Sequence, residues 1–71
     1  MFVLRIGGTN EFISKIDPFD SRCVPPGSCE SVVGITNSKV LKFKNRVDAE
    51  DASTEVLRIE GFGCCVETLG D

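Results

Sequence analysis

One segment of the chain carries the full signature of a capped amphipathic helix. It starts at Lys42 and reads KFKNRVDAEDASTEVLRIEGFG. Asn45 suits the N-cap position, and Asp48, three residues on, lies close to a capping box and near the positive end of the helix dipole. Gly61 suits the C′ position, where a left-handed residue ends a helix. The pattern therefore predicts a helix over residues 46–60. Its apolar stripe, spaced by three and four residues, consists of Ala49, Ala52, Val56 and Ile59.

The first sixteen residues have the pattern of a β-hairpin. FVLRI at 2–6 alternates between apolar positions, and EFISKI at 11–16 follows after the turn residues GGTN. Two such runs joined by a short glycine-containing turn indicate antiparallel strands. We expect Phe12 and Ile16 to lie on the same face of the second strand.

Two further strands are predicted around the helix. SVVGI at 31–35 is a β-branched run in which Gly34 indicates a bulge, and CCVETL at 64–69 returns to a period of two. For TNSKVLKF at 36–43, a continued strand and a short helical turn both remain open. The chain is thus predicted to be an α+β protein, with three to four antiparallel strands and the helix at about 46–60 packed on one face.

A long loop separates the second and third predicted strands. Residues 17–30 contain all three prolines and two of the four cysteines. Long loops in small domains are usually functional or mobile. Seventy-one residues form a single domain, and a chain of this size buries only about 60% of its unfolded surface, which leaves room for a homodimer partner. No apolar run is long enough to span a membrane.

The four cysteines do not have the spacing of a metal site. Cys23 and Cys29 are separated by five residues, Cys64 and Cys65 are adjacent, and the chain has no histidine. We therefore expect no metal and no cofactor. An even number of cysteines also suits two disulfides in a secreted protein. Reduced thiols are the favoured interpretation, because Met1 is followed by FVLRI, in which Arg5 interrupts any apolar leader.

Catalytic groups are scarce, and the charged residues fall into two sets. Without histidine, tyrosine or tryptophan the chain lacks the usual general base near neutral pH, so an enzyme is not expected. A cluster of cations surrounds Phe43, but a net charge of −3 argues against a nucleic-acid binder. The helix instead carries carboxylates that could meet a basic partner. These candidate partner-binding residues are Asp48, Glu50, Asp51 and Glu55, and the cations are Lys39, Lys42, Lys44 and Arg46.

The segment KFKNRVDAEDA, together with the leading hairpin, resembles small accessory proteins encoded by bacteriophages and prophages. Lys42, Phe43 and Arg46 stand where that group has its basic and aromatic residues, and Ala49 and Ala52 match the start of its helix. The resemblance implies a cytoplasmic protein that acts on a host protein or nucleoprotein complex. Some phage proteins of this size inhibit host defence, as anti-CRISPR proteins do. The alternative is a secreted, disulfide-stapled effector or toxin.

Overall fold

The computed structural model describes residues 1–69 and shows a four-stranded antiparallel sheet with one helix packed on it, which confirms the predicted α+β fold. The strand order in the sheet is β3-β2-β1-β4, so the central pair is β1 and β2. The elements in chain order are β1 (Phe2–Ile6), β2 (Glu11–Asp17), β3 (Ser28–Val33), α1 (Arg46–Glu60) and β4 (Cys64–Thr68).

Helix α1 has the predicted bounds. Gly61 takes the left-handed conformation, with φ 80°, and its N–H donates to the carbonyl oxygen of Leu57. Asn45 occupies the N-cap position, but its side chain accepts no hydrogen bond from the first turn and instead donates to Asp48 over 3.3 Å. The predicted capping hydrogen bond from the first-turn N–H groups to Asn45 is therefore wrong, although Asn45 does mark the start of the helix.

The main core lies between α1 and the sheet. The predicted stripe faces this core, since Ala49 and Val56 are fully buried and Ala52 is half-buried. From the sheet, Leu4 and Ile13 complete the buried centre. The small alanine side chains on α1 let the helix axis approach the strands closely. The core faces of α1 and β1 are those that the spacing on α1 and the alternation on β1 predicted.

The opposite face of the sheet has a second, smaller core that the sequence did not predict. It contains Val3, Phe12 and Val40, all nearly inaccessible to solvent. The expectation that Phe12 and Ile16 share a face is wrong, because the β2–β3 pairing shifts register between Ile13 and Lys15. An irregularity of this kind adds a residue to one strand and moves later side chains to the other face.

The segment after β3 does not continue the strand but makes a short turn after Asn37, in which the N–H of Val40 donates to the carbonyl oxygen of Asn37 over 3.1 Å. It crosses the sheet and enters the gap where β1 and β2 diverge. There the N–H of Leu41 donates to the carbonyl oxygen of Ile13 over 3.0 Å, and Phe43 exchanges two hydrogen bonds of 2.8 Å with Phe2. This insertion stabilises the open end of the hairpin and delivers the chain to the start of α1.

Strand β3 starts earlier than predicted. It runs over Ser28–Val33 rather than 31–35, so the connecting loop is 18–27 and shorter than the predicted 17–30. Gly34 lies beyond the strand with φ 90°, and its carbonyl oxygen accepts from the N–H of Asn37 over 3.1 Å, so it begins a turn and is not a bulge. The outcome is that Cys29 belongs to a strand and not to the loop.

Candidate interaction surface

A buried carboxylate organises loop 18–27. Asp20 is 6% exposed, and its two carboxylate oxygens accept from Nε and Nη2 of Arg22 over 2.9 and 2.7 Å. Its backbone carbonyl accepts from the N–H groups of Cys23 and Gly27. The hydrogen bonds from Arg22, with a further one from Ser28, hold the pKa of Asp20 well below its ordinary value. The carboxylate therefore stays charged and fixes the loop backbone.

The same loop is attached to the C-terminal half of α1. Arg58 donates to the carbonyl oxygens of Pro26 and Pro18 over 3.3 and 3.4 Å and also pairs with Glu55 over 2.8 Å. Gly27 is buried against Ile59, so closely that a Cβ atom there would lie 2.7 Å from Ile59 Cγ1. Loop 18–27, called the anchored loop below, and this part of α1 form one continuous surface.

The anchored loop presents large apolar side chains to solvent. Phe19 is 85% exposed and Val24 is 98% exposed, and Pro25 and Pro26 beside them are exposed as well. These side chains belong to one short loop whose backbone is held in place, which distinguishes them from single apolar residues scattered over a surface. Phe19 and Val24 have the largest exposed fractions among the large apolar side chains of residues 1–69.

The structure brings together three of the four predicted acidic residues. Successive helix residues are rotated by about 100°, which places Asp48, Asp51 and Glu55 within about 60° of one another and Glu50 about 100° or more from each. We call these three residues the acidic flank. Arg58 lies on the same side of α1, so the acidic flank leads directly to the anchored loop.

The carboxylates differ in how far they are already neutralised. Glu50 pairs with Arg46 over 3.1 Å, and Glu55 pairs with Arg58. Asp51 makes no ion pair with any residue between 1 and 69. Such exposed pairs are weak, about 0.3–0.5 kcal/mol each, so a partner can replace them at small cost.

The basic stretch before α1 does not form an aromatic–cationic surface. Lys39, Lys42 and Lys44 are exposed, but Phe43 is half-buried against the main core and hydrogen-bonded to β1. Part of its ring surface is therefore used in packing against the core, which leaves less of it for stacking on a nucleic-acid base. Arg46, the fourth cation, is paired with Glu50.

All four cysteines are free thiols in the structure. Cys29 and Cys64 pack against the main core, whereas Cys65 is exposed on the other face of β4. Burial, with a further contribution from Glu60, raises the pKa of Cys29 to about 11, and burial raises that of Cys64. Both core thiols are thus protonated at neutral pH and are weak nucleophiles.

The surface of residues 1–69 also has a small depression. This depression, about 160 Å³, lies between the sheet and the C-terminal end of α1 and is lined by residues that include Ile6, Cys29 and Phe62. Small-molecule sites usually have volumes of about 300–1,000 Å³. Among residues 1–69, no group of histidine, cysteine and acidic side chains is arranged to hold a metal ion, and no helix is long and apolar enough to cross a membrane.

Comparison with models of known protein families, with curated proteins and with solved structures finds no significant match. The candidate site therefore follows from this chain's own geometry. Sequence reasoning pointed to the loop as a range but missed Phe19, Val24 and the residues that anchor them. A usable signal was present, since Asp20 precedes a proline-rich turn, and aspartate often accepts hydrogen bonds from the backbone two residues on.

Proposed function

We propose that this chain is a small non-enzymatic binding protein of phage or prophage type that acts in the cytoplasm on a host macromolecule. Inhibition of a host defence complex, in the manner of anti-CRISPR proteins, is the specific role we favour. The observation that carries the proposal is the exposure of Phe19 and Val24 on a loop that Asp20 and Arg58 hold in place.

The energetics favour binding through this loop. Burying an aromatic or aliphatic side chain of this size contributes about 1.5–3 kcal/mol. Aromatic residues are also enriched among the few residues that dominate binding at interfaces. Because hydrogen bonds already order the loop backbone, little conformational entropy is lost when a partner covers it. A preformed apolar loop of this kind is well suited to insertion into a recess of another protein.

The acidic flank specifies the chemistry of that partner. Asp51 lacks an ion pair within the described chain, and Glu55 lies next to the loop through Arg58. The fitting surface is therefore a protein recess that accepts Phe19 and carries arginine or lysine residues along one side. Nucleoprotein complexes present such basic surfaces, and carboxylates facing them increase the association rate.

The test begins with capture of partners from a bacterial host lysate and ends with affinity measurements on the purified partner. Phe19→Ala should weaken binding by about tenfold to a hundredfold, as expected when an interface loses a central aromatic group. Phe62→Ala is the matched control, because Phe62 is a partly exposed phenylalanine outside the loop, and it should change affinity less than about threefold. Asp51→Asn should lower the association rate at low salt, and the difference should disappear at high salt.

Two results would contradict the proposal. One is a partner whose affinity is the same for the Phe19→Ala variant and the original chain. The other is a purified protein that retains no host macromolecule although its fold, checked by circular dichroism, is intact.

A further inference from the structure

Strand β4 forms an open edge of the sheet. Among residues 1–69 its one neighbouring strand is β1, and the pairing is regular over five residue pairs from Phe2–Thr68 to Ile6–Cys64. The other edge, β3, pairs with β2 through a register shift and carries the exposed Glu30. Irregular pairing and charged residues protect an edge from further strands. Strand β4 has the regular edge, and its one charged residue, Glu67, is paired with Arg5 of the same sheet.

The pairing shows which backbone groups of β4 point outward. The N–H of Leu69 donates to the carbonyl oxygen of Met1, whereas Phe2 directs its own hydrogen bonds away from β4, toward Phe43. In an antiparallel ladder, successive residues of a strand direct their backbone N–H and carbonyl groups alternately toward the paired strand and away from it. The outward-facing residues of β4 are therefore Cys64, Val66 and Thr68.

These outward groups are only partly satisfied within one chain. The hydroxyl of Ser53 on α1 donates to the carbonyl oxygen of Cys64 over 3.3 Å. Within residues 1–69, no hydrogen bond reaches the backbone N–H or carbonyl of Val66 or Thr68 on this edge. Leu57, one turn along α1 from Ser53 on the same side, is 52% exposed. The edge thus combines unpaired backbone groups with an exposed apolar side chain.

We propose that a second copy of this chain pairs with β4 in antiparallel orientation, with the two-fold axis at Val66. In this register Val66 faces its counterpart, and Cys64 faces Thr68 of the second copy. All three outward positions on each strand are then paired, giving roughly six new hydrogen bonds. Shifting the register by one outward position leaves some of these groups unpaired, so the symmetric register satisfies the most groups.

Side chains on both faces are compatible with this register. On the helix side, the meeting residues are uncharged, and Val66 already packs against the main core, which the dimer would extend. On the other side, Cys65 would face Glu67 of the second copy. Each Glu67 is already paired with Arg5 of its own chain, so no like charges face each other directly.

The test measures the oligomeric state with and without the edge hydrogen bonds. Sedimentation equilibrium, in reductant so that the exposed Cys65 cannot form a disulfide, should show a mass rising with concentration from 7.7 kDa toward twice that value. Thr68→Pro removes an outward N–H that no hydrogen bond within residues 1–69 uses. This variant should raise the dissociation constant by about tenfold to a hundredfold.

Val33→Pro is the matched control on the other edge. Val33 ends β3, is exposed, and by the same alternation directs its N–H outward, because Gly34 donates to Asn10. The dissociation constant should not change in this variant. Amide exchange at Val66 should also slow as the protein concentration rises, while circular dichroism verifies that both variants fold.

Distinct results would overturn the inference. A mass of 7.7 kDa at every concentration would exclude self-pairing and leave the edge to an extended peptide of another protein. Equal dimerisation of the Thr68→Pro variant and the original chain would exclude β4 as the contact. Phe19→Ala should not affect dimerisation, so failure of this inference and failure of the proposed function can be distinguished.

Discussion

Gly27→Ala tests whether the anchored loop is packed on α1 as the structure shows. Gly27 has φ 133°, a backbone conformation that residues with a Cβ atom rarely adopt. The added Cβ would also lie 2.7 Å from Ile59 Cγ1 and 3.0 Å from Ile59 Cδ1. The substitution therefore combines backbone strain with a steric clash against the helix.

Each effect has its own magnitude. Backbone strain of this kind costs about 1–3 kcal/mol. The clash adds about 1 kcal/mol, since Ile59 is only half-buried and can rotate away at the expense of its packing. The sum is about 3 kcal/mol. This is a large share of the free energy of unfolding expected for a chain of this length, which is roughly 0.05–0.15 kcal/mol per residue. The melting temperature should fall by about 10–25 °C.

Urea unfolding followed by circular dichroism measures the effect, with Gly34→Ala as the control. Gly34 has φ 90° but no atom within 4 Å of the added Cβ, so its substitution carries strain without a clash. Gly27→Ala should be more destabilising than the control by about 1 kcal/mol, and the additional change Ile59→Ala should remove that difference through coupling between the two sites. Equal losses in the two glycine variants, with additive behaviour at Ile59, would refute the packing of the loop on α1.

Two further predictions concern titratable groups. Hydrogen bonds from Arg22 lower the folded-state pKa of Asp20. The ionised carboxylate should therefore stabilise the fold fully at pH values above its unfolded pKa of about 4. This stabilisation should be lost as the pH falls toward the folded-state pKa. Asp20→Asn should therefore destabilise the protein most at pH 7, and the loss should shrink steadily as the pH falls from about 4 to about 2 in urea titrations; a pH-independent difference would contradict the assignment. For the thiols, native protein at pH 8 should be alkylated at Cys65 well before Cys29 and Cys64, because burial raises the pKa of the two core thiols. Peptide mapping after timed alkylation checks the order, and denatured protein that never met a reductant should take up four alkyl groups; no adducts would show two disulfides.

Local patterns predicted the regular elements well. Helix α1 was bounded correctly because the stripe from Ala49 to Ile59 and the C′ residue Gly61 depend on near neighbours in the chain. The hairpin and β4 were found for the same reason. The start of β3 was missed because Ser28 and Cys29 have no strand pattern of their own. They belong to the strand only because they pair with β2.

The candidate surface was predicted only in part. Charge and spacing alone selected the acidic residues of α1, and the helix geometry then separated Glu50 from the other three. The exposure of Phe19 could not be read from the sequence, where an aromatic residue after a proline suits a core equally well. Burial is decided by which distant groups cover a side chain, and at this loop the distant groups are Arg58 and Ile59.

The sequence by itself determined the α+β class, the helix bounds, the apolar stripe and the absence of histidine, all of which follow from composition or from contacts within about four residues. Only the tertiary structure decided the course of the chain from Val40 to Phe43 between two strands, the second core around Phe12, and the attachment of the loop to α1. Each of these depends on groups far apart in the chain that satisfy one another's hydrogen bonds or exclude water together. Such long-range pairing depends on the three-dimensional arrangement of the whole chain, and no local pattern encodes it.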